Sequence, residues 1–592
     1  MTKPKFEKTS WDLSQLAPAF STPQYESHIQ EIRDSVSTFT TTYTLSFLET
    51  ISQEDFTKMM REKEQISFSI SKISLQAYLQ NSQDTKCEKR KKQLRFVEEF
   101  STDISNKLRY IHLWYIQLPQ EKAFTFAQTM GEDSYYFERK YLLGKHSLSE
   151  AEEKILSLKD MTGSQFLQSL YDSICSQFRF DFDGKTQTLT QMRQYMSDDN
   201  REKRRDASKL IKETFEKHLH ILGDMYQSVS KDYIIESVTL RKFETPLQVR
   251  TESEDISQKA VLSLFEAAKS QNKLFHRFFK LKAKLLKLEK LELYDTYAPI
   301  RLTKKETIPY DVALERICAV AKTIHPKFEE AIIELVEQNH IDSVFSEHKR
   351  GGAFNYGVGN GIKPFVFMQY LDEEDDQFTL AHELGHAIHS MFSLDKSSYG
   401  NHASIGVSES ASTFMEEMLS EYLFPTLSEE KQIELLVTQI QSAYQTIQRQ
   451  IYISLFELEA HKIIEKGTTN SELTALWTQL QKDQFGDAVH ISDDLISWTY
   501  IPHIYHTPYY CYNYGVGLIL AMLLVEKRRE DPIRFAKDIE RYLSVAGTKG
   551  IVDTAKVVGI DLESVETWKK GYSLVLEKIV TLESLLQKKG LI

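Results

Sequence analysis

Residues Thr379–Phe392 read TLAHELGHAIHSMF. Leu380, Leu384, Ala387 and Met391 recur at three- and four-residue intervals, the spacing of an amphipathic helix with one core-facing stripe. On this helix His382, Glu383 and His386 spell H-E-x-x-H. Residues four apart lie one above the other, about 6 Å along the axis, so two such imidazoles can converge on one metal ion. Glu383 sits one residue further round. It is near enough to take a proton from a water on that ion and too displaced to be the natural third ligand. Five letters alone are suggestive only, and an exposed helix with two satisfied histidines is the plain alternative. The surroundings decide.

Just upstream, Gly351–Gly361, GGAFNYGVGNG, holds five of the 22 glycines, and Pro364–Tyr370, PFVFMQY, is the best strand in the sequence. An acidic cluster, Asp372–Asp376, ends the strand before the helix begins. A glycine-rich strand pair in a helical chain is a place where backbone can approach a ligand closely, with a purely structural hairpin as the alternative. Downstream, VSESASTFMEEM opens a second helical stretch. Zinc catalysis needs a third protein ligand and an open fourth position. Glu409 from that second helix is the preferred third ligand. His389, seven residues after His382, competes, but an unbroken helix carries it about 10 Å along the axis. It is kept as a group behind the ligands. A carboxylate leaves the ion one positive charge, enough to acidify its water. Glu416, two turns beyond Glu409, could orient a ligand imidazole by accepting its other N–H, or it is simply solvated.

The rest of the chain agrees with a large helical protein. Its 592 residues include only 22 glycines and 13 prolines, too few for a turn-rich sandwich or propeller. Residues 25–268 carry apolar positions at helical spacing, for example Phe96, Phe100, Ile104, Leu108 and Ile111. Breaks near Pro119, Gly131, Gly144, Gly163 and Asp183-Gly184 read as helix–helix turns. His276–Lys290, HRFFKLKAKLLKLEK, reads as a core helix with a solvated lysine face rather than a membrane-surface helix. The expected division is a helical domain over residues 1–200 and a catalytic domain over 201–592. A net charge of −12 argues against nucleic acid as the main partner. The longest apolar run, Gly515–Val525, is too short to span a bilayer. Four scattered cysteines in no CxxC pair, and an N-terminus without an apolar run, fit a cytoplasmic protein with no membrane partner.

Between Tyr500 and Tyr514, YIPHIYHTPYYCYNY, six of the 29 tyrosines fall within fifteen residues, with His503 and His506 among them. An aromatic core is one explanation. Phenol and imidazole donors for the oxyanion formed in peptide hydrolysis are the other.

Together these residues resemble the thimet-oligopeptidase group of zinc metallopeptidases, and within it the bacterial oligoendopeptidase F branch. The likeness runs through Trp11-Asp-Leu, Leu281-Lys-Ala-Lys-Leu-Leu-Lys-Leu, Tyr294-Asp-Thr-Tyr-Ala-Pro, Gly352-Ala-Phe, His382-Glu-Leu-Gly-His386, Glu409-Ser-Ala-Ser-Thr-Phe and Pro502-His-Ile-Tyr. The resemblance implies a mainly α, zincin-like metallopeptidase with a small β-sheet near the active-site helix and a deep central channel. It implies one Zn2+ per chain on His382, His386 and Glu409, with Glu383 as general base, and cleavage of internal bonds in short unstructured peptides. Gly352, Ala353 and Phe354 would line the peptide backbone. Tyr512, then Tyr505 and His503, would serve the oxyanion, with Tyr509 and Tyr510 meeting substrate. Two other readings stay open: a carboxypeptidase or dipeptidyl carboxypeptidase on a similar scaffold, and a helical peptide-binding protein that does no chemistry. Neither cleavage-site preference nor oligomeric state is legible in the sequence.

Overall fold

The computed structural model describes residues 6–545 and 547–592. Helices dominate, up to the 34-residue Arg201–Ile234, and the strands are few and short. The chain divides into two compact units, each drawn from three stretches. The first comprises Met1–Lys145, Lys305–Leu423 and Lys527–Gly559; the second comprises His146–Lys304, Phe424–Glu526 and Ile560–Ile592. A cut at residue 200 falls inside the second unit, at Asn200, whose side chain caps the long helix by accepting the amide of Glu202 at 2.8 Å.

In the first unit, helices α1 (Gln53–Gln83) and α2 (Glu88–Ile116) pack together. The stripe read from the sequence faces the unit's core: Phe100, Ile104, Leu108 and Ile111 are buried, with Phe96 packed against that core. Full burial of each such side chain is worth about 1.5–3 kcal/mol relative to exposure. The unit's sheet joins β1 (Ile341–Asp342), β2 (Phe354–Tyr356) and β3 (Phe365–Phe367) in the order β1-β3-β2. The central β3 runs parallel to β1 and antiparallel to β2. All three residues of β3 are buried, which is why PFVFMQY shows no polar alternation. Trp11 stacks on Phe367 with centroids 5.6 Å apart, and Leu75 and Leu79 of α1 complete that core.

One polar device ties the sheet's connections together, and another joins the sheet to the following helix. Lys349 is buried, and its Nζ donates to Asp342 Oδ1 at 2.7 Å and to the carbonyls of Val344 at 2.6 Å and Met368 at 3.0 Å. Three acceptors offset the cost of desolvating the ammonium. Asp376 Oδ2 accepts the amides of Leu371 at 2.7 Å and Glu373 at 3.0 Å. The acidic cluster is thus a strand-to-helix junction, with its charge at the helix N-terminus where the dipole favours it. There α3 (Asp376–Phe392) begins, and α4 (Ile405–Leu423) packs along it.

The second unit is built on helices Arg201–Ile234 and Arg449–Lys466, with Tyr226, Phe456, Trp477 and Trp498 in its core. Phe275, Phe278, Phe279 and Leu281 of helix Asn272–Leu285 are buried, as a core helix requires. Lys282 departs from the expected solvated face: it is fully buried and donates to the Thr296 carbonyl at 2.8 Å and to Gln441 Oε1. Asp183-Gly184 does not join two helices. It turns a β-hairpin, Arg179–Phe182 against Lys185–Thr188. Both turn residues have positive φ, 54° and 73°, as the two-residue turn that matches strand twist demands. Among the described residues, no helix is long and apolar enough to cross a membrane.

Candidate active site

The apolar face of α3 is buried through Leu380, Leu384, Ala387 and Ile388, which leaves His382 and His386 on the opposite side. Their rings lie 4.8 Å apart, nearly perpendicular. α4 approaches α3 unusually closely because position 385 is glycine. A Cβ there would meet the Cα of Ser412 at 2.5 Å and the carbonyl of Ala411 at 2.8 Å. This backbone-to-backbone approach brings Glu409 to the imidazoles. Its Oε2 lies 3.6 Å from His382 Nε2 and its Oε1 lies 3.8 Å from His386 Nε2. The ligand atoms of His382, His386 and Glu409 all lie within 4.8 Å of one another. Ligand atoms about 2.1 Å from a tetrahedral ion are about 3.4 Å apart, so the two imidazole–carboxylate separations are close to those of a formed site. His389 is not in this group. It is buried on α3, burial holds it down to about 4, and its Nε2 has no hydrogen-bond partner among the described residues.

Each of the two imidazoles is held from behind. His382 Nδ1 lies 2.5 Å from Glu416 Oε1. Burial works against charge on His382, but Glu416 and the neighbouring carboxylates prevail and raise it to about 9. A proton on Nδ1 shared with Glu416 leaves the Nε2 lone pair for a metal. His386 Nδ1 lies 3.3 Å from Ser408 Oγ. Burial, with His382 beside it, lowers His386 to about 3, so its imidazole is neutral. Ser408 and Gly385 escaped the sequence reading. Ser408 directly precedes Glu409, and a small residue inside H-E-x-x-H is the one signal that α3 accepts a close neighbour. Glu383 is buried, and its Oε2 has no hydrogen-bond partner among the described residues. Burial raises it to about 7, against the pull of His382. Burial also raises Glu409. A cation among these groups would reverse that penalty for Glu409.

Gly352 and Ala353 lead into β2, whose first residue is Phe354; β2 pairs on one side with β3 and is an edge strand of its sheet. Gly352 has φ 82°, a conformation that favours glycine. Asn355 of β2 donates to Ser390 Oγ of α3 at 3.2 Å, fixing the strand to the metal-motif helix.

The tyrosine segment belongs to the second unit, where it splits by burial. Tyr505, Tyr509 and Tyr512 are core residues. The hydroxyl of Tyr505 donates to the Leu222 carbonyl at 3.3 Å, and its ring lies 3.9 Å from that of Tyr171. Tyr512 is fully buried in the first turn of helix Tyr512–Glu530. The reaction-facing roles expected for Tyr505 and Tyr512 therefore fall on groups sealed within the core. His503 and Tyr510 are only half-buried and Tyr514 is exposed. These three rings form one cluster: His503 is parallel to Tyr510 at 6.2 Å, and Tyr514 is edge-on to both, at 6.1 and 5.5 Å. Tyr514 was missed. A helix begins at Tyr512, and the two-residue step to Tyr514 carries the side chain to a different face.

The sequence profile of peptidase family M3 matches residues 194–574, well over half of the chain. Oligopeptidase PepF of Bacillus subtilis is 26% identical over 75% of this chain and 67% of its own length. An oligoendopeptidase F homologue of Borreliella burgdorferi is 25% identical, covering 86% of this chain and 87% of the relative. Among solved structures, a Chlamydophila abortus chain assigned as a peptidase superposes with a TM-score of 0.86 at 21% identity, covering 97% of this chain and 98% of that one. Oligoendopeptidase-F from Enterococcus faecium gives 0.69 at 18% identity, covering 95% and 99%. At these identities the solved structures share the fold.

Proposed function

Because the chain belongs to peptidase family M3, we propose that it is a zinc-dependent endopeptidase acting on short unstructured peptides, with one zinc per chain and Glu383 as general base. The observation that carries this reading is the convergence of two imidazoles and one carboxylate, His382, His386 and Glu409, from two closely packed helices. Two nitrogens and one oxygen suit zinc and leave a fourth position open. When bound, zinc supplies a Lewis acid that polarises a carbonyl and lowers the pKa of water. Glu416 and Ser408 orient the ligand rings, and Glu409 balances the charge. Glu383 accepts a proton from the attacking water at its unengaged oxygen and delivers it to the leaving amine. A buried carboxylate next to the two imidazoles on the same helix suits both halves of that transfer.

The edge strand β2, which starts at Phe354 directly after Gly352 and Ala353, suits a peptide bound as an added strand. In the segment 503–514, donation to a peptide carbonyl falls to His503, Tyr510 and Tyr514, since these are the accessible donors, while Tyr505, Tyr509 and Tyr512 serve the core. The names of the Bacillus and Borreliella relatives support an oligopeptide substrate. A cytoplasmic site of action is part of this proposal.

The test is an internally quenched peptide blocked at both ends, assayed alongside the metal content of the purified protein. Cleavage that a chelator abolishes and zinc restores is the expected result. Indifference to chelator overturns the reading. So does trimming of a free-ended peptide while the blocked one stays whole, which would indicate the exopeptidase alternative.

A further inference from the structure

The turn Thr507–Cys511 separates the short helix His503–His506 from helix Tyr512–Glu530. Within it Tyr509 has φ 59°, a left-handed conformation that a bulky L-residue keeps only where its surroundings enforce it. One residue grips it at both ends. The Tyr509 amide donates to Glu457 Oε1 at 2.8 Å, and the Tyr509 hydroxyl donates to the Glu457 carbonyl at 3.5 Å. Glu457 is fully buried on helix Arg449–Lys466, among residues of an aromatic and aliphatic core that includes Phe456 and Ala460. From the other side, Arg250 Nε donates to the Pro508 carbonyl at 3.1 Å, and its guanidinium lies 5.8 Å from the centre of the Tyr510 ring. The residue that follows this turn's strained position is Tyr510, which stacks with His503 and meets Tyr514 edge-on.

We infer that Glu457 is a positioning residue: its buried carboxyl latches the Tyr509 amide, holds the left-handed turn, and so sets Tyr510 in register with His503 and Tyr514 to receive a peptide. This rests on the assignment of those three side chains to substrate. What an acid offers in that core beyond the packing of a leucine is the acceptor for the amide, with an attraction to Arg250 beside it. Burial raises Glu457 to about 8, against the pull of the Tyr509 amide and of Arg250, so near neutral pH it is mostly uncharged. Its Oε2 has no hydrogen-bond partner among the described residues. Glutamine therefore reproduces its shape, charge and one working acceptor.

The test compares Glu457→Gln and Glu457→Leu with Tyr510→Phe and Tyr514→Phe in the full-length, metal-loaded enzyme. It reads kcat and KM on the quenched peptide and amide hydrogen exchange across residues 507–514. Glu457→Gln should stay within about threefold of wild type in kcat with slow exchange. Glu457→Leu should lose about tenfold or more in kcat with KM moving less than about threefold, and exchange at Tyr509 should accelerate. Because the leucine variant risks misfolding, Tyr509→Gly and Tyr509→Ala provide an independent arm. Both remove the ring, but only glycine adopts positive φ freely, so Tyr509→Gly should exceed Tyr509→Ala in kcat. Wild-type kcat and exchange in Glu457→Leu, or equal kcat in the Tyr509 pair, overturns the latch. If Tyr510→Phe and Tyr514→Phe both keep wild-type kcat, the substrate assignment falls and takes the latch with it. If they lose kcat while Glu457→Leu does not, the latch alone falls.

Discussion

Gly385→Ala adds one methyl group at the point where α3 and α4 touch. The added Cβ would stand 2.5 Å from the Cα of Ser412 and 2.8 Å from the carbonyl oxygen of Ala411. Non-bonded carbons rest about 3.5–4.0 Å apart, so the helices must part by about 1 Å, because both obstacles are backbone and neither can rotate away. Overpacking of this kind costs about 1–3 kcal/mol, against about 1 kcal/mol gained from the higher helix propensity of alanine. The net loss of stability is therefore at most about 2 kcal/mol. The larger effect falls on the ligands. Glu409 sits three residues before Ser412 on the displaced helix, and its oxygens already stand 3.6 and 3.8 Å from the imidazole nitrogens. A further ~1 Å takes the carboxylate outside tetrahedral reach, and zinc affinity should fall about 10- to 100-fold, as when ligand support is lost. Competition against a chromophoric chelator measures this directly, with a thermal midpoint recorded in parallel. A variant with wild-type zinc affinity and a raised midpoint would show that propensity alone governs this position and would refute the close-approach argument.

Other expected outcomes follow from the same geometry. Glu383→Gln should retain zinc yet lose about 10²–10⁴-fold in kcat, read by metal analysis and steady-state kinetics; retained turnover would remove Glu383 as the base. Glu416→Ala should weaken zinc about 10- to 100-fold by freeing His382 to turn, measured by the same chelator competition, whereas unchanged affinity would make Glu416 a bystander. Tyr505→Phe should leave kcat unchanged and cost about 1 kcal/mol of stability, the worth of its bond to the Leu222 carbonyl. A large loss of kcat in that variant would return Tyr505 to the reaction. Finally, Glu457 titrates at about 8 in the fold against an ordinary value near 4.5. Between those values the native state binds the extra proton, so this residue's contribution to stability declines as pH rises from about 4.5 to about 8, by up to several kcal/mol. The unfolding midpoint of Glu457→Gln relative to wild type should therefore rise between pH 5 and pH 8, and parallel pH profiles would contradict the assignment.

Much of this molecule was legible because its signals are local. The three- and four-residue spacing of Phe100, Ile104, Leu108 and Ile111 is enough to specify a packed helix face. Four-residue spacing likewise puts His382 and His386 on one side of α3. Glu409 is favoured over His389 by helix geometry, since seven residues of unbroken helix carry His389 about 10 Å along the axis, and the structure brings Glu409, not His389, to the two imidazoles. What escaped depends on tertiary context. Asp183-Gly184 carries the signature of a hairpin turn, but the helical text around it drew the reading towards a helix junction. Lys282 lies in a lysine-rich helix, and nothing in that pattern says which lysine meets Thr296 and Gln441 in the interior. Contiguous stretches gave no hint that each compact unit is assembled from three of them. The tyrosine segment shows the limit most clearly. Six phenols in fifteen residues look equivalent in sequence, and the distinction between Tyr505 in the core and Tyr514 at the surface is made by Leu222, Tyr171 and the start of a helix.

The most direct test of the central claim is zinc content per chain after dialysis, measured for wild type, Glu409→Ala and His389→Ala. One zinc in wild type and in His389→Ala, with almost none in Glu409→Ala, is the predicted pattern. A Glu409→Ala protein that still holds one zinc would contradict the account.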